Sequence, residues 1–156
     1  MKTVEAAVIG VGWVGGTRAE TLSRTTLVDK LHICDIKPDR LAEMKALCKP
    51  ATATLDYQDI IKNEKISVVY ISTTPETNHY PIARDCLKAG KNVMLEKPSA
   101  LELWEADELI MLAKRDNLKF TIGYSQRFNT KIACAKKKIV DGTLGNVVSV
   151  LVSRHL

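Results

Sequence analysis

The first 35 residues contain the pattern that most restricts how this chain can fold. An apolar run is followed by a glycine-rich turn, a helix-like stretch and a second apolar run that ends in an acid. The glycines are Gly10, Gly12 and Gly15, and Asp35 lies 20 residues beyond the last of them. With this spacing the first glycine permits a tight turn, the second lets a pyrophosphate approach the backbone, and the third lets the helix pack on the strand. We therefore predict a nicotinamide dinucleotide site rather than an ordinary glycine turn, with the phosphates at the start of the helix.

Asp35 indicates which dinucleotide the chain prefers. A carboxylate at the end of the second strand accepts hydrogen bonds from ribose hydroxyls and repels a 2′-phosphate, which favours NAD over NADP. Lys37 and Arg40 follow it, and either could reach a phosphate, so NADP stays possible. Asp35 could instead serve only to cap the turn between strand and helix.

Composition indicates one globular domain of ordinary size. The chain has 156 residues, of which 46% are hydrophobic and 26% are charged. It contains no apolar run long enough to span a membrane, and its first residues do not resemble a signal peptide. The four cysteines are scattered, without a C-x-x-C pair, which favours reduced thiols in a cytoplasmic protein.

Two classes of partner are not supported by the sequence. The basic run Lys136–Lys138 fans around a helix and has no interleaved aromatic residues, so it is better explained as a solvated helix face than as a nucleic-acid site. The His, Cys and acidic residues form no cluster with ligand spacing, so we expect no metal.

Strand-like and helix-like periodicity alternate along the chain. The predicted strands are Val4–Ile9, Leu31–Asp35, Ala51–Thr54, Ser67–Ser72, Asn92–Leu95 and Lys119–Ile122. The predicted helices are Val14–Arg24, Pro38–Leu47, Asp56–Lys62, Asn78–Ala89, with Gly90 as a left-handed cap, and Leu101–Arg115, with Ser99 as N-cap and Glu102 answering it. This alternation predicts an α/β fold with a doubly wound, mostly parallel sheet of the Rossmann type.

The remaining unusual residues follow the predicted strands. In doubly wound sheets, ligands bind at the carboxyl ends of the strands. Lys97 follows a strand that should be buried, and Pro98 fixes the backbone beyond it, so Lys97 is predicted to be a placed cation. A buried or cation-adjacent lysine can lose its proton and then act as base or hydrogen-bond partner to a reacting hydroxyl. Trp13, inside the glycine turn, is expected to cover the cofactor or to contact a partner domain. His79 shares a helix face with apolar residues, so a core histidine and a ligand contact are equally supported.

Four motifs occur in one order: Gly10–Gly15, Thr74–His79, Glu96–Lys97–Pro98 and Gly142–Gly145. Together they resemble the glucose–fructose oxidoreductase, inositol dehydrogenase and rhizopine catabolism (Gfo/Idh/MocA) family over essentially the whole chain. The resemblance implies an NAD(P)-dependent oxidoreductase that acts on a secondary alcohol of a sugar, a cyclitol or a related substrate. It also implies a cis Lys97–Pro98 peptide bond.

The resemblance assigns roles to residues along the same sheet edge. It implies that Lys97 touches both the nicotinamide ribose and the substrate hydroxyl, that Glu96 positions the cofactor, and that Arg127 lies near the nicotinamide. The full set of expected cofactor-binding residues is Gly10, Gly12, Trp13, Val14, Gly15, Asp35, Ile36, Arg40, Thr73, Thr74, Pro75, His79, Glu96, Lys97 and Arg127.

The resemblance also implies a second domain that is absent from these 156 residues. We expect a dinucleotide-binding domain at residues 1–123, a connecting loop and helix at 124–146, and at 147–156 the first strand of a truncated α/β substrate domain. The valine-rich segment 147–154 is expected to pair with another copy and form a homo-oligomer. Two functions stay open: the cofactor-binding fragment of an oxidoreductase, or a non-catalytic protein that senses dinucleotides.

Overall fold

A computed structural model describes residues 3–153, and the chain divides into two units between Gly123 and Tyr124. The first unit is a six-stranded sheet, and all neighbouring strands are parallel in the order β3-β2-β1-β4-β5-β6. The strands are β1 (Val4–Ile9), β2 (Val28–Cys34), β3 (Thr52–Thr54), β4 (Ile66–Ile71), β5 (Asn92–Leu95) and β6 (Phe120–Ile122). This order is that of the doubly wound dinucleotide-binding fold, so the predicted fold class is confirmed.

Helices connect successive strands of this sheet. They are α1 (Trp13–Arg24), α2 (Pro38–Cys48), α3 (Tyr57–Lys62), α4 (His79–Lys88) and α5 (Leu103–Arg115), with a short 3₁₀ turn at Glu76–Asn78. Gly90 ends α4 with a φ of +74°, so the predicted left-handed cap is confirmed. Among residues 3–153, no helix is long and apolar enough to cross a membrane.

The core lies on both faces of the sheet because successive side chains of a strand point to opposite sides. In β1, Ala7 and Ile9 belong to one buried cluster, and Val8 belongs to the other. Leu87 of α4 packs in the first cluster and Met44 of α2 packs in the second. The two layers hold the sheet rigidly and leave the loops at its carboxyl edge to form a site.

The strand β2 begins three residues earlier than the predicted start at Leu31. Val28 lies opposite Val4, and Lys30 lies opposite Glu5, with 3.2 Å between the Lys30 Nζ and a carboxylate oxygen of Glu5. Charged residues in this segment interrupt the apolar alternation that predicts a strand. The pairing of β2 with β1 nevertheless includes this segment.

The predicted cap of α5 is wrong. The helix begins at Leu103, and the Glu105 carboxylate accepts hydrogen bonds from the N–H groups of Leu101 (3.0 Å) and Glu102 (3.2 Å). The N-cap residue is therefore Glu102, three residues beyond the predicted cap, Ser99, and its side chain accepts the N–H of Glu105 to complete a capping box. A carboxylate in the first turn can bind two free N–H groups at once, and it also complements the positive end of the helix dipole.

The second unit contains a 3₁₀ turn at Ser125–Phe128 and the helix α6 (Thr130–Val140). The side chain of Asn129 caps α6 by accepting the N–H of Lys131 at 3.0 Å. The predicted strand at 147–156 does not form within the described residues: 147–153 have no regular secondary structure, and residues 154–156 lie outside them. A strand requires a ladder partner, and the six strands of the described sheet all lie within Val4–Ile122. Its membership of a second domain stays a prediction.

Candidate functional site

The candidate site lies where the connections of the sheet change direction. From β1 the chain crosses through α1 to β2 on one side, whereas β4 lies on the other side of β1. Loops after β1 and β4 therefore leave a crevice at the carboxyl edge, which is where doubly wound sheets bind ligands. The loops after β2 and β5 end at the same edge because all strands are parallel.

Two glycines of the turn are required by close packing. Gly10 has a φ of +83°, and a Cβ there would lie 2.4 Å from the Ser72 carbonyl oxygen. A Cβ on Gly15 would lie 1.8 Å from the carbonyl oxygen of Gly10. The turn after β1 therefore packs directly against the loop after β4 and against the start of α1.

Gly12 differs from both because a Cβ there would meet nothing within 4 Å. It is exposed and lies at the N-cap of α1, where no side chain caps the helix. The first N–H groups of a helix lack intrahelical partners, and the helix dipole favours an anion beside them. The open space before α1 thus has the chemistry of a phosphate site.

Asp35 is half-buried and supports the glycine turn. One carboxylate oxygen accepts the N–H of Val11 at 2.8 Å, and the other accepts the N–H of Lys37 at 2.9 Å. The capping role considered from the sequence is therefore present. A carboxylate has about four acceptor positions, so these two bonds leave capacity for ribose hydroxyls.

Arg40, in the first turn of α2, holds the same turn from its carbonyl side. Its Nε donates to the Val11 carbonyl oxygen at 2.6 Å, and Nη2 donates to the Gly12 carbonyl oxygen at 3.1 Å. Its Nη1 lies 2.6 Å from a Glu43 carboxylate oxygen. The guanidinium is engaged with the protein, whereas the sequence left it free to reach a phosphate.

Thr73 follows β4 and presents an unusual hydroxyl. Its Oγ1 is buried and is the one such side-chain atom in residues 3–153 without a hydrogen-bond partner. An unsatisfied buried hydroxyl costs about 1–3 kcal/mol, so an isolated one in a loop beside the glycine turn indicates a place for a polar ligand group. The residues present therefore fit a bound dinucleotide.

His79 begins α4 and joins two loops. It is buried, with Nδ1 2.6 Å from the Pro98 carbonyl oxygen and Nε2 3.0 Å from the Thr73 carbonyl oxygen. The peptide bonds Thr74–Pro75 and Lys97–Pro98 are both cis, and the second was predicted. Because both ring nitrogens face protein carbonyls, the structure favours the core interpretation of His79.

Glu96 is buried beneath Gly123 at the end of β5. Tyr70 donates its hydroxyl hydrogen to one carboxylate oxygen, and the N–H of Lys97 donates to the other at 3.3 Å. A Cβ on Gly123 would lie 2.9 Å from the Glu96 carboxylate. Lys97 itself is exposed. Glu96 thus holds the backbone that presents Lys97.

Tyr70 and Arg18 were not identified from the sequence. The Nε of Arg18, in α1, lies 3.4 Å from the Tyr70 hydroxyl oxygen, and the Arg18 guanidinium lies over the Tyr70 ring. Burial, together with the hydrogen bond to Glu96, raises the pKa of Tyr70 to about 12. The sequence contained one signal for this contact, since Tyr70 lies in a largely apolar strand. The hydroxyl of a buried tyrosine needs a hydrogen-bond partner.

Three other predicted residues lie exposed at this edge of the first unit. Trp13 is 88% exposed, and Ile36, which follows Asp35, is also exposed. Val14, in the first turn of α1, is exposed to a smaller extent. Arg127 lies in the 3₁₀ turn of the second unit and is exposed, and its expected place beside the nicotinamide stays a prediction.

Known proteins match both the sequence and this architecture. The Gfo/Idh/MocA oxidoreductase family, described by its NAD-binding Rossmann fold, matches residues 4–124. The myo-inositol 2-dehydrogenase of Thermotoga maritima is 30% identical over 138 residues, which are 88% of this chain and 41% of that protein. The crystal structure of myo-inositol 2-dehydrogenase from Lactobacillus plantarum has a TM-score of 0.87 and 29% identity, over 94% of this chain and 44% of the other.

A further structure, scyllo-inositol dehydrogenase from Lactobacillus casei with bound NAD(H) and scyllo-inositol, has a TM-score of 0.86 and 24% identity, over 93% of this chain and 43% of that one. The chain thus spans less than half the length of the proteins it matches. The family match includes both the glycine turn and the Glu96–Lys97–Pro98 segment, and so the chain belongs to the Gfo/Idh/MocA oxidoreductases, with an NAD-binding Rossmann fold at residues 4–124.

Proposed function

We propose that this chain is the cofactor-binding part of an NAD-dependent dehydrogenase that oxidises a secondary alcohol of a cyclitol or a related sugar. The observation that carries the proposal is the pairing of an unsatisfied buried hydroxyl, Thr73 Oγ1, with an exposed cation, Lys97, at the ends of neighbouring strands. The Thr73 hydroxyl is suited to bind a polar group of the cofactor, and the Lys97 side chain is suited to bind the reacting alcohol. The inositol dehydrogenases that the chain resembles support this substrate class.

The assignment of the cofactor groups follows the edge of the sheet. The N-terminus of α1 with Gly10, Gly12 and Gly15 binds the pyrophosphate, because the free N–H groups and the open space lie there. Asp35 binds the adenosine ribose with its remaining acceptor positions. The other cofactor contacts that we propose are Trp13, Val14, Ile36, Thr73, Thr74, Pro75, Glu96, Lys97 and Arg127.

Lys97 is the residue to which we assign the alcohol. Oxidation removes a hydride from the alcohol carbon and a proton from its oxygen, and bound NAD supplies the hydride acceptor. The Lys97 ammonium is placed to donate a hydrogen bond to that oxygen, and the proton passes to an acid–base group outside this chain. Glu96 does not take that proton directly, because its carboxylate is buried and bound by Tyr70. It orients the Lys97 backbone instead.

The buried thiols support a proposal for the compartment. Cys34, Cys48 and Cys86 are free and buried. Burial raises the pKa of both Cys34 and Cys86 to about 12, with nearby acids adding to the effect, so these thiols stay protonated. Inert, unpaired thiols suit a reducing environment, and we propose the cytoplasm.

Calorimetric titration with NAD, followed by an assay of NADH formation from myo-inositol, tests the proposal. We expect NAD to bind, and Lys97→Met to lower its affinity by less than about tenfold, because Lys97 supplies a single proposed contact and the assigned pyrophosphate and adenosine ribose contacts lie elsewhere. We expect no steady NADH production by these 156 residues, because a missing acid–base partner typically costs about 10²–10⁴-fold in rate. Absence of NAD binding at millimolar concentration would contradict the assignment of the site.

Steady NADH production by the chain alone would contradict a different part of the proposal, namely the need for groups outside this chain. If that rate survived in Lys97→Met, the catalytic role of Lys97 would be wrong as well. The two measurements therefore separate cofactor binding from chemistry.

A further inference from the structure

Arg40 and Asp35 hold a single residue of the glycine turn from both sides. Asp35 accepts the Val11 N–H at 2.8 Å, and Arg40 donates to the Val11 carbonyl oxygen at 2.6 Å. Asp35 directly follows β2, and Arg40 lies in the first turn of α2. Hydrogen bonds with a charged partner are about twice as strong as neutral ones, so the turn is set before a ligand arrives.

The second contact of Arg40 extends this support into α1. The Gly12 carbonyl oxygen accepts from Arg40 Nη2 at 3.1 Å and from the Gly16 N–H at 2.8 Å. This carbonyl is thereby fixed at the point where α1 begins. The free N–H groups of the first helical turn, which we assign to the pyrophosphate, keep their direction only if this turn keeps its shape.

Gly16 provides independent support for this role of Arg40. The dinucleotide spacing accounts for Gly10, Gly12 and Gly15 but leaves Gly16 unexplained, and glycine inside a helix costs about 1 kcal/mol relative to alanine. A Cβ on Gly16 would lie 2.3 Å from Arg40 Nη2. Gly16 therefore makes room for the guanidinium above the first turn of α1.

All three guanidinium nitrogens already have partners. Nε and Nη2 bind the two turn carbonyls, and Nη1 binds Glu43 at 2.6 Å. Two guanidinium N–H groups remain, one on Nη1 and one on Nη2, but the Glu43 carboxylate beside Nη1 disfavours a 2′-phosphate there through like charge. A lysine in its place could not bridge two carbonyls, because its ammonium is a point donor without a planar fork.

We propose that Arg40 is a positioning residue for the dinucleotide: it sets the glycine turn from its carbonyl side and does not recognise a 2′-phosphate. It supports NAD and NADP equally, and the choice between them stays with Asp35. The proposal rests on the assignment of the glycine turn to the pyrophosphate.

Calorimetric titration of Arg40→Lys and Arg40→Met with NAD and NADP tests the proposal. We expect both variants to lose about tenfold in affinity for each dinucleotide, since one charge-assisted hydrogen bond is worth about that factor. The ratio of the two dissociation constants should stay at the parent value. Lys45→Met is the matched control, because it removes one positive charge from the exposed side of α2 and should keep parent affinities.

Amide hydrogen exchange of the ligand-free protein gives a readout that does not depend on NAD. We expect Arg40→Lys and Gly16→Ala to speed exchange at the Val11 and Gly16 amides, while Lys45→Met does not. A loss of NADP affinity alone in the Arg40 variants, or unchanged exchange at both amides, would overturn the proposal. A parent protein that binds neither dinucleotide refutes the site assignment instead, and the exchange experiment still decides whether Arg40 sets the turn.

Discussion

We assign both a structural and a recognition role to the Asp35 carboxylate. Its two bonds to the N–H groups of Val11 and Lys37 fix where it points. On the proposed assignment, the repulsion of a 2′-phosphate is coupled to the shape of the turn. A substitution at this position changes both properties together.

We predict that Asp35→Ser weakens NAD binding about tenfold and narrows or inverts the preference for NAD over NADP. Serine keeps a hydroxyl, but it removes both the charge-assisted bond to Val11 and the like charge near the phosphate. Titration with both dinucleotides measures the change, and Asp39→Ser, which removes an exposed acid four residues later, is the control. An unchanged ratio in Asp35→Ser would show that another group selects NAD.

Tyr70 stabilises a buried carboxylate, and its removal should be costly. In Tyr70→Phe, Glu96 keeps only the bond from the Lys97 N–H, so we expect a loss of about 1–3 kcal/mol in the free energy of unfolding. Urea unfolding at pH 7 measures it. Tyr80→Phe is the control because Tyr80 also donates to a carboxylate, that of Glu108, but this carboxylate is partly exposed and water can replace the hydroxyl. Equal losses in the two variants would argue against the importance of burial.

The raised pKa of Tyr70 predicts that its contribution to the free energy of unfolding falls at alkaline pH. Burial and Glu96 raise its pKa to about 12, whereas an unfolded tyrosine has a pKa near 10. The folded state keeps the proton longer, so this stabilisation is complete below about pH 10 and is lost as the pH rises through 12. The stability difference between the parent and Tyr70→Phe should therefore narrow from pH 8 to pH 11. Urea midpoints at both values measure it, and a constant difference would contradict the assignment.

At the scale of elements, local patterns were sufficient wherever neighbouring residues act together. The glycine spacing, the Gly90 cap and the alternation of strands and helices all follow from residues close in sequence, and the structure has them. The start of β2 was missed because it depends on register with Val4. The cap of α5 was missed although it is local, because Ser99 and Glu102 are each followed by a glutamate three residues later and the pattern fits both starts. Contacts between distant elements, such as Tyr70 with Glu96, leave almost no local signal.

The strand–turn–helix unit offers a comparison between two glycines three residues apart. We predict that Gly15→Ala destabilises the fold by at least about 1–3 kcal/mol, because the new methyl group meets the Gly10 carbonyl oxygen at 1.8 Å. Gly12→Ala meets nothing within 4 Å, so we expect parent stability but weak NAD binding, because the methyl group occupies the space of the pyrophosphate. Thermal unfolding and NAD titration of both variants measure these effects. Parent-like NAD affinity in Gly12→Ala would place the phosphates elsewhere.

At the scale of the whole molecule, the two units differ in how they bury their side chains. The first has apolar layers on both faces of its sheet, whereas α6 in the second buries no residue. Stability of the chain is therefore expected to come from the first unit. The segment that follows α6 is rich in valine, and whether its side chains stay exposed depends on what it contacts in solution.

We predict that residues 147–153 drive self-association of this chain. Val148 is 96% exposed and Leu151 is 98% exposed, and the valines at 150 and 152 are also exposed, so several large apolar side chains of the segment face solvent. Such side chains favour pairing with the same segment of a second copy, which covers them. Size-exclusion chromatography with light scattering should show a dimer or larger species for the full chain and a monomer for a version ending at Gly145. A full-length variant with Val148→Ser, Val150→Ser and Val152→Ser keeps the length, and it should also be monomeric if the apolar side chains are responsible. If the full chain, the shortened version and this variant all elute as the same monomer, the prediction is wrong.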